Sequence, residues 1–208
     1  MNEVPDTPHS RKRWIAAFTA VMAARGLGLA LFPVLLVEAP VVLILLSPIL
    51  GHLVLTGALL PAWQYFAAAL GGSIIQSIVA YRFGVVLGER AQVWLEGRGA
   101  ATHAATTRIL GWMKRAAPVV LIAMAGTTVC ALAGVSQVRA RVFYPAMIVA
   151  QVAWVGACFW FGVAVTDQIE VVLSFVELHV LELTAVALAL VGGSQLWKRW
   201  RQKRAAGA

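Results

Sequence analysis

The chain has 208 residues, 61% of them hydrophobic and 12% charged, with a net charge of +8 and a mean hydropathy of +0.81. Soluble domains carry about 25% charged residues, so this composition excludes an ordinary water-soluble fold and points to lipid as the solvent. Nor does the positive charge mark a nucleic-acid binder. Lys and Arg gather at Arg11-Lys12-Arg13, between Arg82 and Arg115, and at Lys198, Arg199, Arg201, Lys203 and Arg204, each cluster beside a long apolar run, which is the placement that orients a membrane protein.

In chain order, residues 1–13 form a basic N-terminus that runs into an apolar stretch without a small-x-small cleavage pattern. An uncleaved first helix is expected there. Stretches at 14–37, 61–81, 142–165 and 171–196 can each cross a hydrocarbon core that takes about 20 residues. Two more, 40–60 and 116–134, are long enough on paper. Charge decides between six crossings and four. The N-terminus, the middle segment ending at Lys114-Arg115, and Arg139 with Arg141 are all basic, and the positive-inside rule puts all of them in the cytoplasm. An even number of crossings must then separate them, so 40–60 and 116–134 are expected to dip in and return. Pro48, Gly51 and His52 at the middle of the first, and Gly126-Thr127-Thr128 at the middle of the second, favour breaks over straight helices.

The predicted fold class is therefore an all-α integral membrane protein of four transmembrane helices and two re-entrant helical hairpins. It forms a single membrane domain over 14–197, followed by a basic cytoplasmic tail over 198–208. Between the halves, 88–115 carries Trp94, Ile109, Leu110, Trp112 and scattered Arg, a pattern expected of an amphipathic helix on the cytoplasmic leaflet. Trp197 and Trp200 beside the tail read as interfacial anchors. Cys130 and Cys158 lie in apolar stretches and offer neither metal spacing nor a disulfide framework.

An internal repeat supports the two-hairpin topology. Ala39-Pro40-Val41-Val42-Leu43-Ile44 recurs as Ala117-Pro118-Val119-Val120-Leu121-Ile122, 78 residues later, and Phe83-Gly84-Val85 recurs as Phe161-Gly162-Val163 at the same shift. Without a gap, residues 39–88 and 117–166 share 11 identities. By the charge count the first hairpin enters from outside and the second from inside. Homologous halves of opposite orientation make an inverted-topology repeat, an architecture of transporters. The hairpin tips, 47–52 and 126–130, are expected to approach one another near the midplane.

Three passages resemble the DedA or VTT-domain membrane proteins, a family of bacterial lipid transporters and eukaryotic lipid scramblases. Glu38-Ala39-Pro40 opens the first hairpin. Leu70-Gly71-Gly72 leads to Tyr81-x-x-Gly84-x-x-x-Gly88, and Ala133-Gly134 leads to Phe143, Trp154 and Gly162. The resemblance covers residues 38–162 and implies translocation of phospholipid or of a lipid-linked carrier. The chain departs from the family pattern at Leu121, where a second arginine is usual after Arg115 and Pro118, and at Val41 and Val42, where a second acidic residue is common. These departures count against proton coupling of the usual type.

The residues singled out for function are those that are costly at membrane depth. Arg25 sits near the middle of the first stretch and Glu38 at the mouth of the first hairpin. Either they neutralise one another, or Glu38 faces a cavity and binds or releases a proton as a head group passes, or Glu38 is simply exposed at the interface. His52 either repairs the broken backbone of its turn or carries a proton. Thr127 and Thr128 repair their turn or meet a substrate phosphate. Arg115, Arg139 and Arg141 act as topology determinants or attract anionic head groups. Glu177 and His179 lie on different faces of a helix and do not converge on a metal. Without a nucleophile motif, a phosphate loop or paired carboxylates, neither catalysis nor a cofactor is expected. The expected partners are membrane phospholipids, with no nucleic acid, and a homo-oligomer is compatible with the architecture. The expected location is the bacterial inner membrane with both termini cytoplasmic. A small-solute or ion transporter, and a non-transporting scaffold, remain the alternatives.

Overall fold

The computed structural model describes residues 8–96, 111–113, 116–124, 126–190 and 193. The described residues are helical, joined by short turns, with no strand among them. In chain order the helices are α1 (Pro8–Ala30), α2 (Phe32–Glu38), α3 (Pro40–Leu46), α4 (Leu50–Leu59) and α5 (Ala62–Glu96). After a helical stretch at 116–123 come α6 (Thr127–Val135), α7 (Ala140–Ala164), α8 (Thr166–Leu178) and α9 (Val180–Leu190).

Prolines set most of the boundaries in the first third. The ring of a proline clashes with the preceding residue in the helical region and pushes it to extended backbone. Ala39, Ser47 and Leu60 each precede a proline, and each leaves helical geometry, with φ/ψ of −149°/63°, −141°/74° and −103°/144°. The first hairpin stretch, 40–60, is accordingly two helices with a break at 47–49. The second breaks at Gly126, which is extended at φ −159° and ψ 156°, so α6 begins at Thr127.

Two helices, Ala62–Gly88 of α5 and α7, are long and apolar enough to cross a membrane; the bent pair of α1 and α2 raises the number to three. Two predicted spans are not single helices. The 14–37 stretch bends by 79° between Ala30 and Phe32, because Pro33 stands in the first turn of α2 and has no N–H to continue the ladder. The 171–196 stretch breaks at His179, where α8 ends, and neither α8 nor the described part of α9, Val180–Leu190, is long enough to cross alone.

The described residues fall into two compact units: those within Met1–Met22 and Leu70–Ala157 form unit 1, and those within Ala23–Ala69 and Cys158–Ala208 form unit 2. In unit 1, Tyr81 stacks on Phe143 at 4.0 Å between ring centroids, and Phe18 of α1 stacks on Phe83 at the same distance. Both Tyr81 and Phe143 are buried in a core that includes Met113, Leu121, Cys130 and Met147. In unit 2, Tyr65 packs against Phe159 at 5.1 Å, and Leu36, Leu43 and Val176 join α2, α3 and α8 in a second core.

Glycines let a hairpin helix touch a long helix backbone to backbone. In unit 1, a Cβ at Gly84 would collide with the Ala131 carbonyl, and one at Gly134 with the Tyr81 carbonyl. In unit 2, a Cβ at Gly162 would collide with the Val54 carbonyl, and one at Gly57 would press on Phe159. Without a hydrophobic drive between helices in lipid, such close approach is what holds them together.

Candidate functional site

In unit 2 the polar groups collect at the break between α3 and α4. The ladder is interrupted at Ser47, and His52, one turn into α4, closes the gap: its Nδ1–H donates to the Ser47 carbonyl at 2.8 Å. That bond fixes the tautomer and leaves Nε2 as the ring's acceptor. The ring stacks on Phe32, 4.9 Å away and 7° from parallel, and Thr56 Oγ1 donates to the His52 carbonyl at 2.6 Å. Ser47 reaches this place because Gly28 of α1 has no side chain: a Cβ there would lie 2.8 Å from Ser47 Cβ. Ser47 Oγ is fully buried and finds no hydrogen-bond partner among the described residues.

Arg25 stands one turn before Gly28, half-buried, and its charge acts on the His52 ring. Glu38, at the end of α2, is exposed. The bend between α1 and α2 falls between Arg25 and Glu38, so the two residues do not stand on one straight helix.

In unit 1 the polar groups lie inside the bundle. Ser73, Gln76 and Ser77 occupy positions i, i+3 and i+4 of α5, hence one face, and all three are buried. Gln151 of α7, also buried, donates from Nε2 to Ser77 Oγ at 3.0 Å. The Cys130 thiol of α6 hydrogen-bonds Ser77 as well, which places the first turn of α6, with Thr127 half-buried and Thr128 exposed, beside the same stretch of α5. Tyr81, one turn further on, donates to the Val138 carbonyl at 2.7 Å. Trp63 and Arg82 stand 19 residues apart on α5, and so do Arg141 and Trp160 on α7. That is roughly 28 Å of helix, the thickness of a hydrocarbon core. Ser73–Ser77 and Gln151 fall near the middle of these two intervals.

Sequence reasoning passed over Ser73, Gln76, Ser77 and Gln151 because it searched the spans for ionisable groups only. The available signal was three neutral polar residues within five positions of an apolar run. Arg139 and Arg141 are exposed at the start of α7, and Arg115 lies outside the described residues, as do the 198–208 tail and most of the predicted 88–115 amphipathic segment. His179 is turned on its own helix end: Nδ1–H donates to the Phe175 carbonyl at 3.1 Å and the ring stacks on Phe175.

No family model, curated protein or solved structure matches the chain.

Proposed function

We propose that this chain is a membrane transport protein that translocates or scrambles phospholipid, or a lipid-linked carrier, as a divergent relative of the DedA or VTT-domain proteins. The observation that carries this reading is the polar cluster of Ser73, Gln76, Ser77 and Gln151 midway along two apolar helices, beside the broken-helix tip at Thr127. Polar groups at that depth are expensive, and irregular backbone there is tolerated where it is covered by protein or lines a polar cavity. The Ser47–His52 break with Arg25 supplies a second such place, in unit 2, and a positive charge suited to a phosphate.

The proposed architecture is four crossings and two re-entrant hairpins in an inverted repeat, with both termini cytoplasmic. At the 78-residue shift, Trp63 corresponds to Arg141 and Arg82 to Trp160. Tryptophan marks both interfaces but arginine favours the cytoplasmic one, so two copies of one unit inserted in opposite directions must trade arginine for an outer-face residue at equivalent positions. Contacts trade in the same way. Tyr65–Phe159 in unit 2 becomes Phe143–Tyr81 in unit 1, and the Gly57 and Gly162 contacts of unit 2 correspond to those of Gly134 and Gly84 in unit 1. In the second arm of each hairpin the correspondence runs at 77 residues, since α4 begins at Leu50 and α6 at Thr127.

Proteoliposomes carrying a fluorescent phospholipid test the function. Purified protein should expose inner-leaflet label to a membrane-impermeant quencher. The double variant Ser77→Ala with Gln151→Leu should slow that exposure by about tenfold or more, a barrier change of roughly 1.4 kcal/mol. It should still fold, because interhelical hydrogen bonds in membranes contribute only about 0.6 kcal/mol on average. Protein that leaves the label inaccessible, while carrying a small solute or ion, would move the reading to the alternative transporter; protein that carries neither would leave a scaffold.

A further inference from the structure

The helices that run through both units are α1, α5 and α7, and the chain passes between units after Met22, after Ala69 and after Ala157. The glycines inside these helices divide into two sets. Gly28, Gly84 and Gly162 each face a neighbouring segment so closely that a Cβ would collide with it. At Gly26, Gly71 and Gly156 a Cβ would meet nothing within 4 Å, so packing does not account for them. Each of these three stands within four residues of a passage between units. Gly72, buried next to Gly71, and Gly88, at φ +31° where the apolar part of α5 ends, belong to neither set.

A glycine in a helix interior weakens the helix about fivefold relative to alanine, the factor that roughly 1 kcal/mol corresponds to. Where close approach does not require the missing side chain, what the residue supplies is ease of bending. Inside each unit the glycine contacts lock a hairpin helix to a long helix, so bending within a unit would pull apart backbones already in contact. Bending at the passages would not. Hinges of this kind are a few positions that absorb the backbone change while the bodies on either side stay intact.

We propose that Gly26, Gly71 and Gly156 are bending points of α1, α5 and α7, at which these helices flex while each unit keeps its own packing. The polar clusters of unit 1 and unit 2 then remain assembled throughout any such motion.

Spin-label distances along single helices test this without reference to what the protein transports. In a chain with Cys130 and Cys158 replaced by Ala, labels at Trp63→Cys and Val79→Cys bracket Gly71, and labels at Val142→Cys and Phe161→Cys bracket Gly156. In lipid nanodiscs both pairs should give broad or bimodal distances that Gly71→Ala and Gly156→Ala respectively narrow. The same alanine variants should melt no lower than the parent, whereas Gly84→Ala, with its Cβ against the Ala131 carbonyl, should melt lower. A single narrow distance in the parent, unchanged by alanine, overturns the proposal. So does a loss of melting temperature in Gly71→Ala and Gly156→Ala comparable to that of Gly84→Ala, which would make them packing positions.

Discussion

At the scale of single residues, His52 and His179 solve the same problem. Each stands where a helix breaks, each ties Nδ1–H to a backbone carbonyl, and each lays its ring on a phenylalanine: His52 on Ser47 and Phe32, His179 on Phe175 for both. The Ser47 carbonyl also accepts from the Ile49 N–H at 2.8 Å, so the His52 ring supplies its second bond, worth about 0.5–1.5 kcal/mol net, on top of the stack on Phe32. His52→Ala should therefore lower stability by about 2–3 kcal/mol in detergent unfolding, and His52→Asn, which keeps a donor near the Nδ1 position, by less than half as much. Equal losses would show that the ring's packing, rather than its bond, is what matters. Gln137 presents the opposite case. It closes α6 with φ +57°, its N–H and that of Val138 donating to the carbonyls of Gly134 and Ala133. This is the Schellman arrangement that favours glycine at that residue, so Gln137→Gly should raise stability by about 0.5–1 kcal/mol. Glu38 is exposed, so Glu38→Gln should cost no more than about 0.5 kcal/mol of stability. A fall in lipid flux in Glu38→Gln would then report on transport rather than folding, and an unchanged flux would remove Glu38 from the path.

At the scale of elements, local chemistry made the breaks legible and hid the bends. Pro40, Pro48 and Pro61 act through a clash with the preceding residue, which needs no tertiary partner, so breaks around 40–60 follow from sequence alone. Hydropathy has no such resolution. It averages over the 14–37 and 171–196 stretches and returns two continuous spans, where the chain turns by 79° ahead of Pro33 and stops at His179. The glycines show the same division. Gly84 and Gly162 are visible as a repeated Phe-Gly-Val, yet that they face the backbones of α6 and α4 depends on residues about 50 and 100 positions away. Gly162→Ala should lower stability by roughly 1–3 kcal/mol through overpacking against the Val54 carbonyl. Gly156→Ala, six residues earlier on α7 and free of contacts, should not. Thermal melts of the two variants side by side give the comparison.

At the scale of the whole molecule, the proposed inverted repeat makes a directional prediction. Cysteines at Lys12 and Gln137 should label with an impermeant maleimide only from the cytoplasmic side, and one at Trp63 only from the outside. Labelling of Gln137→Cys from outside would break the crossing count. The sequence by itself determined the solvent, the helical class and the breaks at proline. Composition is additive along the chain, helix is what satisfies backbone polar groups in lipid without help from a distant segment, and X-Pro sterics are local. The tertiary structure alone decided which polar groups meet. Ser77 and Gln151 are 74 residues apart, and their bond exists only because α5 and α7 pack face to face in unit 1. Arg25 comes to act on His52 for a similar reason: the room left by Gly28 brings Ser47 and the α3–α4 break against α1. Neutral side chains such as Ser, Thr and Gln carry no long-range charge that would announce a partner in the sequence. Their pairing rests on hydrogen bonds of about 3 Å, and contacts of that length are settled only once the helices have docked.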